Sequence, residues 1–181
     1  DHRELAEVAR AFLTSQKARW AAGSLLDAPD EARPGFWPNL VELGWLGLHI
    51  DEEHGGSGYR LPELVVVVEE LGRAVAPGPF VPTVIASAVI AKDGTAAQKS
   101  RLLPGLIDGT VTAGIGLDGR VELNGGMAEG EAGIVLGAGL AELLLIAAGD
   151  DVLLLERDRA GVSVEVPENL DPARRSGRVR L

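Results

Sequence analysis

The stretch of sequence that decides the fold runs over residues 43–73 and reads LGWLGLHIDEEHGGSGYRLPELVVVVEELGR. Its middle part holds three glycines within four residues, Gly55, Gly56 and Gly58. Glycine adopts positive φ angles at little cost, so this cluster predicts a chain reversal with at least one positive-φ glycine. The apolar run that follows begins at Leu61, with Pro62 in what would be the first turn of a helix.

This apolar run suits either a strand or a helix. Val65–Val68 are four consecutive β-branched residues, which favour a strand when they are taken by themselves. The run continues through Glu69 to Arg73, however, and is then longer than a usual strand. We therefore predict a helix over residues 61–76. Leu64, Val67 and Leu71 are expected in its buried face.

Outward from this stretch, the rest of the first half also has helical patterns. Apolar stripes and Gly or Pro boundaries predict helices over residues 1–20, 36–43, 80–91 and 95–107. Thr95 is expected to cap the last of these helices, and Gly109 follows its end. We also assign Leu43, Leu46 and Leu102 to the helical core.

The second half changes to short β-runs. They cover residues 110–117, 133–136, 143–148, 152–156, 162–166 and 179–181. Turn sequences such as Asn124-Gly125-Gly126 separate most of them. Helices first and strands afterwards are typical of segregated modules. We predict an α+β fold, with an amino-terminal α-helical bundle over residues 1–109 and a β-barrel or sandwich middle domain, itself incomplete, over residues 110–181.

Composition limits the function classes. The chain is 46% hydrophobic and has a formal net charge of −10, so we expect a folded protein that repels nucleic-acid phosphates and anionic lipid. It has no cysteine, which excludes disulfides, thiolate zinc sites and cysteine nucleophiles. Apolar runs such as Leu143–Ala148 fall far short of the roughly 20 residues of a membrane span, and the charged start Asp1–Glu4 lacks a signal core. We therefore expect a cytoplasmic protein with no nucleic-acid or membrane partner.

Two polar groupings and the glycine cluster are the first candidates for sites. His49 and His54 are five residues apart with acids between them, and no third ligand is evident. We interpret them as solvated loop histidines and expect no metal site. The glycine cluster lacks the G-x-x-x-x-G-K-S/T arrangement, which excludes a P-loop. Arg174–Arg178 is the only basic cluster, and we interpret it as a solvated strand edge and not as a nucleic-acid patch.

The quoted stretch resembles the acyl-CoA dehydrogenase family. That family has the patterns L-G-x-x-G-L, P-E-x-x-G-G-x-G and E-E-L-G-R, and residues 43–73 are similar to all three at the same spacing. Residues 94–109 are similar to the family's next segment, which has the pattern G-T-x-x-Q-K and then L-P and G. The resemblance implies the family's amino-terminal helical domain and middle β-domain, with the carboxy-terminal helical domain absent from these 181 residues. It also implies an acyl-CoA substrate, FAD as cofactor and a homo- or hetero-oligomer with another acyl-CoA dehydrogenase subunit.

Two flavin motifs of the family are altered in this sequence. The strand that should end in L-T-E-P-x-x-G-S-D runs here into Leu117 and Asp118, without the hydroxyl-bearing loop. The motif W-I-T/S-N corresponds to residues 134–137, where Ile134 takes the place of the indole and Leu136 the place of the hydroxyl. The resemblance therefore places the cofactor positions at Leu117, Asp118, Leu136 and Gly137. The substitutions remove hydrogen-bond donors that a flavin ring needs.

These changes lead to two hypotheses within the family and one outside it. The first is a subunit that takes part in α,β-desaturation of an acyl-CoA thioester, with FAD held mainly by a partner subunit. It resembles the flavin-poor subunit of actinobacterial heteromeric enzymes that act on sterol side chains. The second is a non-catalytic structural partner of such an enzyme, and the third is an unrelated α+β binding module. We assign no catalytic base and interpret Glu53, Glu69 and Glu70 as surface or loop acids.

Overall fold

The computed structural model describes residues 1–181, with six α-helices followed by seven strands. The helices are α1 His2–Ser15, α2 Ala18–Ser24, α3 Trp37–Glu42, α4 Leu61–Arg73, α5 Phe80–Asp93 and α6 Ala96–Ile107. The strands are β1 Ala113–Gly116, β2 Arg120–Asn124, β3 Met127–Leu136, β4 Leu143–Ala148, β5 Asp151–Glu156, β6 Ser163–Glu165 and β7 Ser176–Arg180. None of the helices combines the length and the apolar composition that a bilayer crossing requires.

The predicted α+β order is confirmed, and Val65–Val68 lie within helix α4. The exact division of domains between residues 109 and 110 stays a prediction. The helix α6 begins as expected, because Thr95 and Gln98 form a reciprocal capping box at its first turn.

The predicted single helix over residues 1–20 is wrong, because the chain breaks at Lys17. This residue adopts a left-handed conformation with φ of 51°, which ends α1 and starts α2 in a new direction. Helix α4 also ends earlier than predicted, at Arg73. The N–H groups of Val75 and Ala76 donate to the carbonyls of Gly72 and Leu71, in a Schellman motif with Val75 at φ of 52°.

The glycine cluster reverses the chain as predicted. Gly55 and Gly58 have φ angles of 86° and 67°, while Gly56 has an ordinary φ. Gly56 serves a different purpose, since a Cβ atom there would collide with the backbone of Ile50. Glycines at these positions let residues 51–60 fold back on the preceding segment, where the N–H of Tyr59 donates to the carbonyl of Leu48.

The helical core contains five of the six residues assigned to it. Buried residues include Leu46, Leu64, Val67, Leu71 and Leu102. Leu43 was wrongly assigned, since 42% of this residue is exposed. It is the C-cap of the short helix α3, and the turn that follows directs the chain inward again only at residue 45.

The strands form one mixed sheet in the order β5-β4-β1-β3-β7-β6, with β2 paired to β3. Strands β1 and β4 are parallel, and all other pairs are antiparallel. The sequence prediction missed β2 and the first half of β3. Most of their residues are exposed and half are polar, so no continuous apolar run marks them, although the turn at Asn124-Gly125-Gly126 joins them as expected.

The sheet has two different faces. Val121, Val135, Ile146 and Val179, from four strands, meet in one buried cluster on the inner face. On the other face, buried residues of β1 and β4 pack with α5 and α6 in a cluster that includes Leu103. The start of β1 and the end of β3 thereby lie beside the start of α5.

Candidate functional site

A cavity of about 370 Å³ lies where the helices meet the sheet. Its apolar walls come from α3, α4, the start of α5 and the end of β3, and include Leu40, Val68, Leu71, Phe80, Val81 and Leu136. The lining also includes two ionisable residues, Glu31 and Arg174. A mostly apolar cavity with few polar groups is typical of a small-molecule site.

The start of α5 is tied directly to the sheet at this cavity. The hydroxyl of Thr83 donates to the carbonyl of Pro79 at 2.7 Å and accepts from the N–H of Ala113 at 3.2 Å. Thr83 is fully buried, so its hydroxyl satisfies two backbone groups that water cannot reach. The wall of the cavity is thereby held at a defined distance from β1.

The cofactor positions implied by the family resemblance fall into two places. Leu136 and Gly137 line the cavity at the end of β3. Gly137 has a φ of 72°, and a Cβ atom there would come within 2.9 Å of the Pro82 side chain. Leu117 and Asp118 lie after β1, on the exposed edge outside the cavity lining.

An exposed aliphatic strip runs along this edge. The β1–β3 ladder pairs Gly116 with Val135, which brings Leu117 beside Ile134 at the end of the ladder. Leu117, Ile134 and Leu136 are exposed by 66%, 68% and 52%. None of these side chains carries a hydrogen-bond donor, and the exposed Asp118 adds only acceptor oxygens. The side chains present at this edge therefore do not fit the donor-rich cradle that a flavin ring requires.

The loop after β3, residues 137–142, is held by the protein itself. The N–H of Gly137 donates to the carbonyl of Arg175, and the Arg157 guanidinium donates to the carbonyl of Gly139 at 2.8 Å. The Thr112 hydroxyl donates to the carbonyl of Leu140 at 2.6 Å. Several polar groups of this loop are thus already paired within the chain.

A second set of contacts links this loop to the helical part. Arg33 donates to the carbonyls of Gly109 and Thr110 and to the carboxylate of Glu142. The same carboxylate accepts from the backbone N–H of Thr112 at 2.6 Å. One arginine before α3 therefore fixes the connection between helices and strands.

The basic cluster was only partly a strand edge. Arg174 and Arg175 lie before β7, and Arg174 lines the cavity and forms an ion pair with Asp171 at 3.6 Å. Arg175 donates to the carbonyls of Ala28 and Pro29, in the loop before α3. Glu31, in the same loop, is a cavity residue that the sequence prediction missed. No periodic pattern marks such a loop residue.

The histidines and acids weighed as sites also differ from expectation in part. His49 is half-buried, not solvated; its Nε2 lies 3.3 Å from the Ser87 hydroxyl, and burial lowers its pKa. Glu70 is 5% exposed and not a surface acid, whereas Glu53 and Glu69 are exposed. The structure holds no group of three or more His, Asp or Glu side chains that would bind a metal ion.

These observations define a two-part α+β protein with an apolar cavity between its helical and sheet parts. Residues 1–110 match the acyl-CoA dehydrogenase N-terminal domain family. The chain belongs to the acyl-CoA dehydrogenase family.

Curated relatives are longer than this chain. Acyl-CoA dehydrogenase FadE34 of Mycobacterium tuberculosis is 32% identical over 138 residues, which are 75% of this chain and 18% of that protein. Acyl-CoA dehydrogenase IpdE2 of Mycolicibacterium smegmatis is 33% identical over 110 residues, 58% of this chain and 35% of that protein. The matched region therefore spans about a third or less of these relatives.

Solved structures share the fold across the whole chain. A variant of the Tcur3481-Tcur3483 steroid ACAD is 28% identical, with a TM-score of 0.85, over 99% of this chain and 54% of that chain. A chain of the ChsE4-ChsE5 complex from Mycobacterium tuberculosis is 20% identical, with a TM-score of 0.84, over 99% of this chain and 53% of that chain. The 181 residues thus correspond to about half the length of these structures.

Proposed function

We propose that this chain is a subunit of a cytoplasmic acyl-CoA dehydrogenase assembly that carries out α,β-desaturation of an acyl-CoA thioester. Electrons pass to FAD, which a partner subunit holds for the most part. Membership of the family supports the reaction class. The observation that carries the proposal is the aliphatic strip of Leu117, Ile134 and Leu136 at the positions where the family resemblance expects flavin contacts.

The role proposed for this chain is to form one wall of the site that binds the acyl group. The cavity lining is mainly apolar, with Val68, Leu71 and Phe80 among its residues, which suits the hydrocarbon part of a thioester. The likeness to the Tcur3481-Tcur3483 steroid ACAD, whose name joins two proteins, supports assembly with a second kind of subunit. We expect the cofactor and the catalytic base to come from outside these 181 residues.

A non-catalytic structural partner is the second candidate function. The self-paired loop at residues 137–142 favours it, because several of its polar groups are satisfied without any ligand. Flavin motifs elsewhere in a longer chain would favour the first function, and their absence would favour the second.

The test is a titration of FAD into the purified chain, followed by flavin fluorescence and by absorbance after gel filtration. Each donor missing from a buried flavin edge costs about 1–3 kcal/mol, so two such losses should weaken binding by roughly two orders of magnitude or more. We expect a free-flavin spectrum. Stoichiometric binding with a perturbed spectrum would show that the site is intact and would contradict the proposal.

A matched pair of variants controls this experiment. Leu136→Thr returns a hydroxyl to the position where the family motif has one, and a single recovered hydrogen bond should tighten weak FAD binding by about fivefold. Leu123→Thr makes the same change on the distant strand β2, where it should have no effect.

A further inference from the structure

Glu31 is a half-buried residue whose carboxyl group lies between the helical part and the sheet. Its Oε1 accepts a hydrogen bond from the backbone N–H of Arg175 at 3.0 Å. Its Oε2 is buried and has no hydrogen-bond partner. This second oxygen lies against the loop after β3, since a Cβ atom on Gly139 would come within 2.7 Å of it. A carboxylate in this position lacks the donors that a buried negative charge requires.

The side chain of Arg175 does not pair with Glu31, although its backbone N–H does. The guanidinium of Arg175 turns toward backbone carbonyls instead, donating to Pro29 at 2.9 Å, to Ala28 at 2.8 Å and to Pro172 at 3.3 Å. The positive charge thus binds the loop that carries Glu31 and leaves the Oε2 atom unpaired. A proton on the carboxyl group would remove the cost of the buried charge.

We propose that Glu31 is a protonation-dependent latch that holds the loop of residues 28–33 against the sheet and closes one wall of the cavity. Glu31, Arg174 and Gly137 all line that cavity, so release of the loop would widen it. The assignment of the cavity to an acyl group rests on the proposed function, but the latch itself requires no ligand.

The groups around Glu31 favour its protonated form in the folded chain. The pKa of Glu31 is raised above its ordinary value, mainly by burial and also by the nearby Asp171. The backbone N–H and the positive charge of Arg175 act in the opposite direction. Arg174 lies at the cavity rim and Arg157 donates to the carbonyl of Gly139. Because the folded state binds the proton more tightly than the unfolded state, closure is most stable at low pH. It weakens as the pH rises above about 4.3, the ordinary pKa of a glutamate.

The experiment is hydrogen exchange of the chain at a series of pH values, corrected for the intrinsic exchange rate. Protection of residues 28–33 and 137–140 should fall by about threefold or more between acidic and mildly alkaline buffer. Glu31→Gln removes the titration and should make the protection independent of pH. Glu122→Gln, an exposed acid on β2 with no side-chain partner, should behave as the unaltered chain.

A second measurement covers the case in which Glu31→Gln fails to fold. A carboxyl ¹³C titration of the unaltered chain should show Glu31 titrating above the exposed glutamates. Titration together with them, or protection that does not change with pH, would overturn the latch. Neither readout involves FAD or acyl-CoA, so failure of the latch and failure of the proposed function are distinguishable.

Discussion

Glu70 shows how a single acid can stabilise the packing of two helices. Its carboxylate accepts from two nitrogens of Arg10, at 3.1 and 2.7 Å, and Arg73 lies 3.7 Å away. The hydrogen bond from Arg10 holds the pKa of Glu70 below its ordinary value. Near the first residues of both helices, Nε2 of His2 lies 2.7 Å from the carboxylate of Glu63. Because the contacts pair the starts of α1 and α4 with each other and their later turns with each other, the two helices run side by side in the same direction.

Glu70→Gln should therefore destabilise the chain in a pH-dependent manner. A group with a depressed folded pKa contributes stability above about pH 4.3, and the contribution disappears as the pH falls through the folded value. We expect the difference in melting temperature between the unaltered chain and Glu70→Gln to be large at neutral pH and to vanish in strong acid. Glu69→Gln alters an exposed ion pair and should change little. An equal difference at both pH values would contradict this account.

At the scale of secondary-structure elements, the ends of two helices determine how the helical part is arranged. Both α1 and α4 end in a left-handed residue, Lys17 in one case and Val75 in the other. A β-branched residue in that conformation is strained, and glycine is the usual residue at this position of a Schellman motif. The hydrogen bonds from the N–H groups of Val75 and Ala76 hold this turn in place, and the residues that follow it, 76–80, line the cavity.

Val75→Gly should stabilise the chain by relieving this strain. A left-handed conformation costs a non-glycine residue about 1–2 kcal/mol, while glycine adds about 0.5–1 kcal/mol of unfolded-state entropy. Val75 is 37% exposed, so removing its side chain also loses some apolar burial, and we expect a net gain of no more than about 0.5 kcal/mol in urea denaturation. Val75→Ala keeps the Cβ atom and should show no gain. Equal effects of the two substitutions would show that the backbone is not strained there.

At the scale of the whole molecule, a few long-range polar contacts connect the helices to the sheet. Arg33 reaches the connection at residues 109–110 and the carboxylate of Glu142, while the indole of Trp37 also donates to the carbonyl of Gly109. Arg175, just before β7, donates to the carbonyls of Ala28 and Pro29 in the loop before α3. These contacts, with the apolar cluster around Leu103, hold the cavity walls in place.

Arg33→Met keeps an apolar stem but removes the donors to three acceptors. A fully buried acceptor that loses its donor costs about 1–3 kcal/mol. Water can replace part of the lost hydrogen bonding at this partly exposed site, so we expect the free energy of unfolding to fall by about 1–2 kcal/mol in total. Urea denaturation measures the free energy of unfolding. Arg180→Met breaks an exposed ion pair with Glu131 and serves as the control, with a change near zero. A result for Arg33→Met as small as the control would mean that this network does not join the two parts.

Patterns that depend on near neighbours were predictable from the sequence. Helix α6 with its Thr95 cap, the positive-φ glycines at 55 and 58 and the strand β4 follow from local preferences and apolar spacing. The break at Lys17 and the strand β2 were not predictable in this way. A lysine gives no sign of a left-handed angle, and the largely exposed strand β2 is held by its pairing with β3.

By itself, the sequence determined the family pattern, the order of helices before strands and the absence of side-chain donors at positions 117, 134 and 136, because each depends only on which residues follow one another. Only the tertiary structure decided which residues line the cavity and which acid is buried. Glu31 comes from a loop about a hundred residues before β3, while Leu136 ends β3 and Arg174 lies just before its partner strand β7. Burial and hydrogen-bond pairing of such groups arise from contacts between distant segments, which no local spacing records.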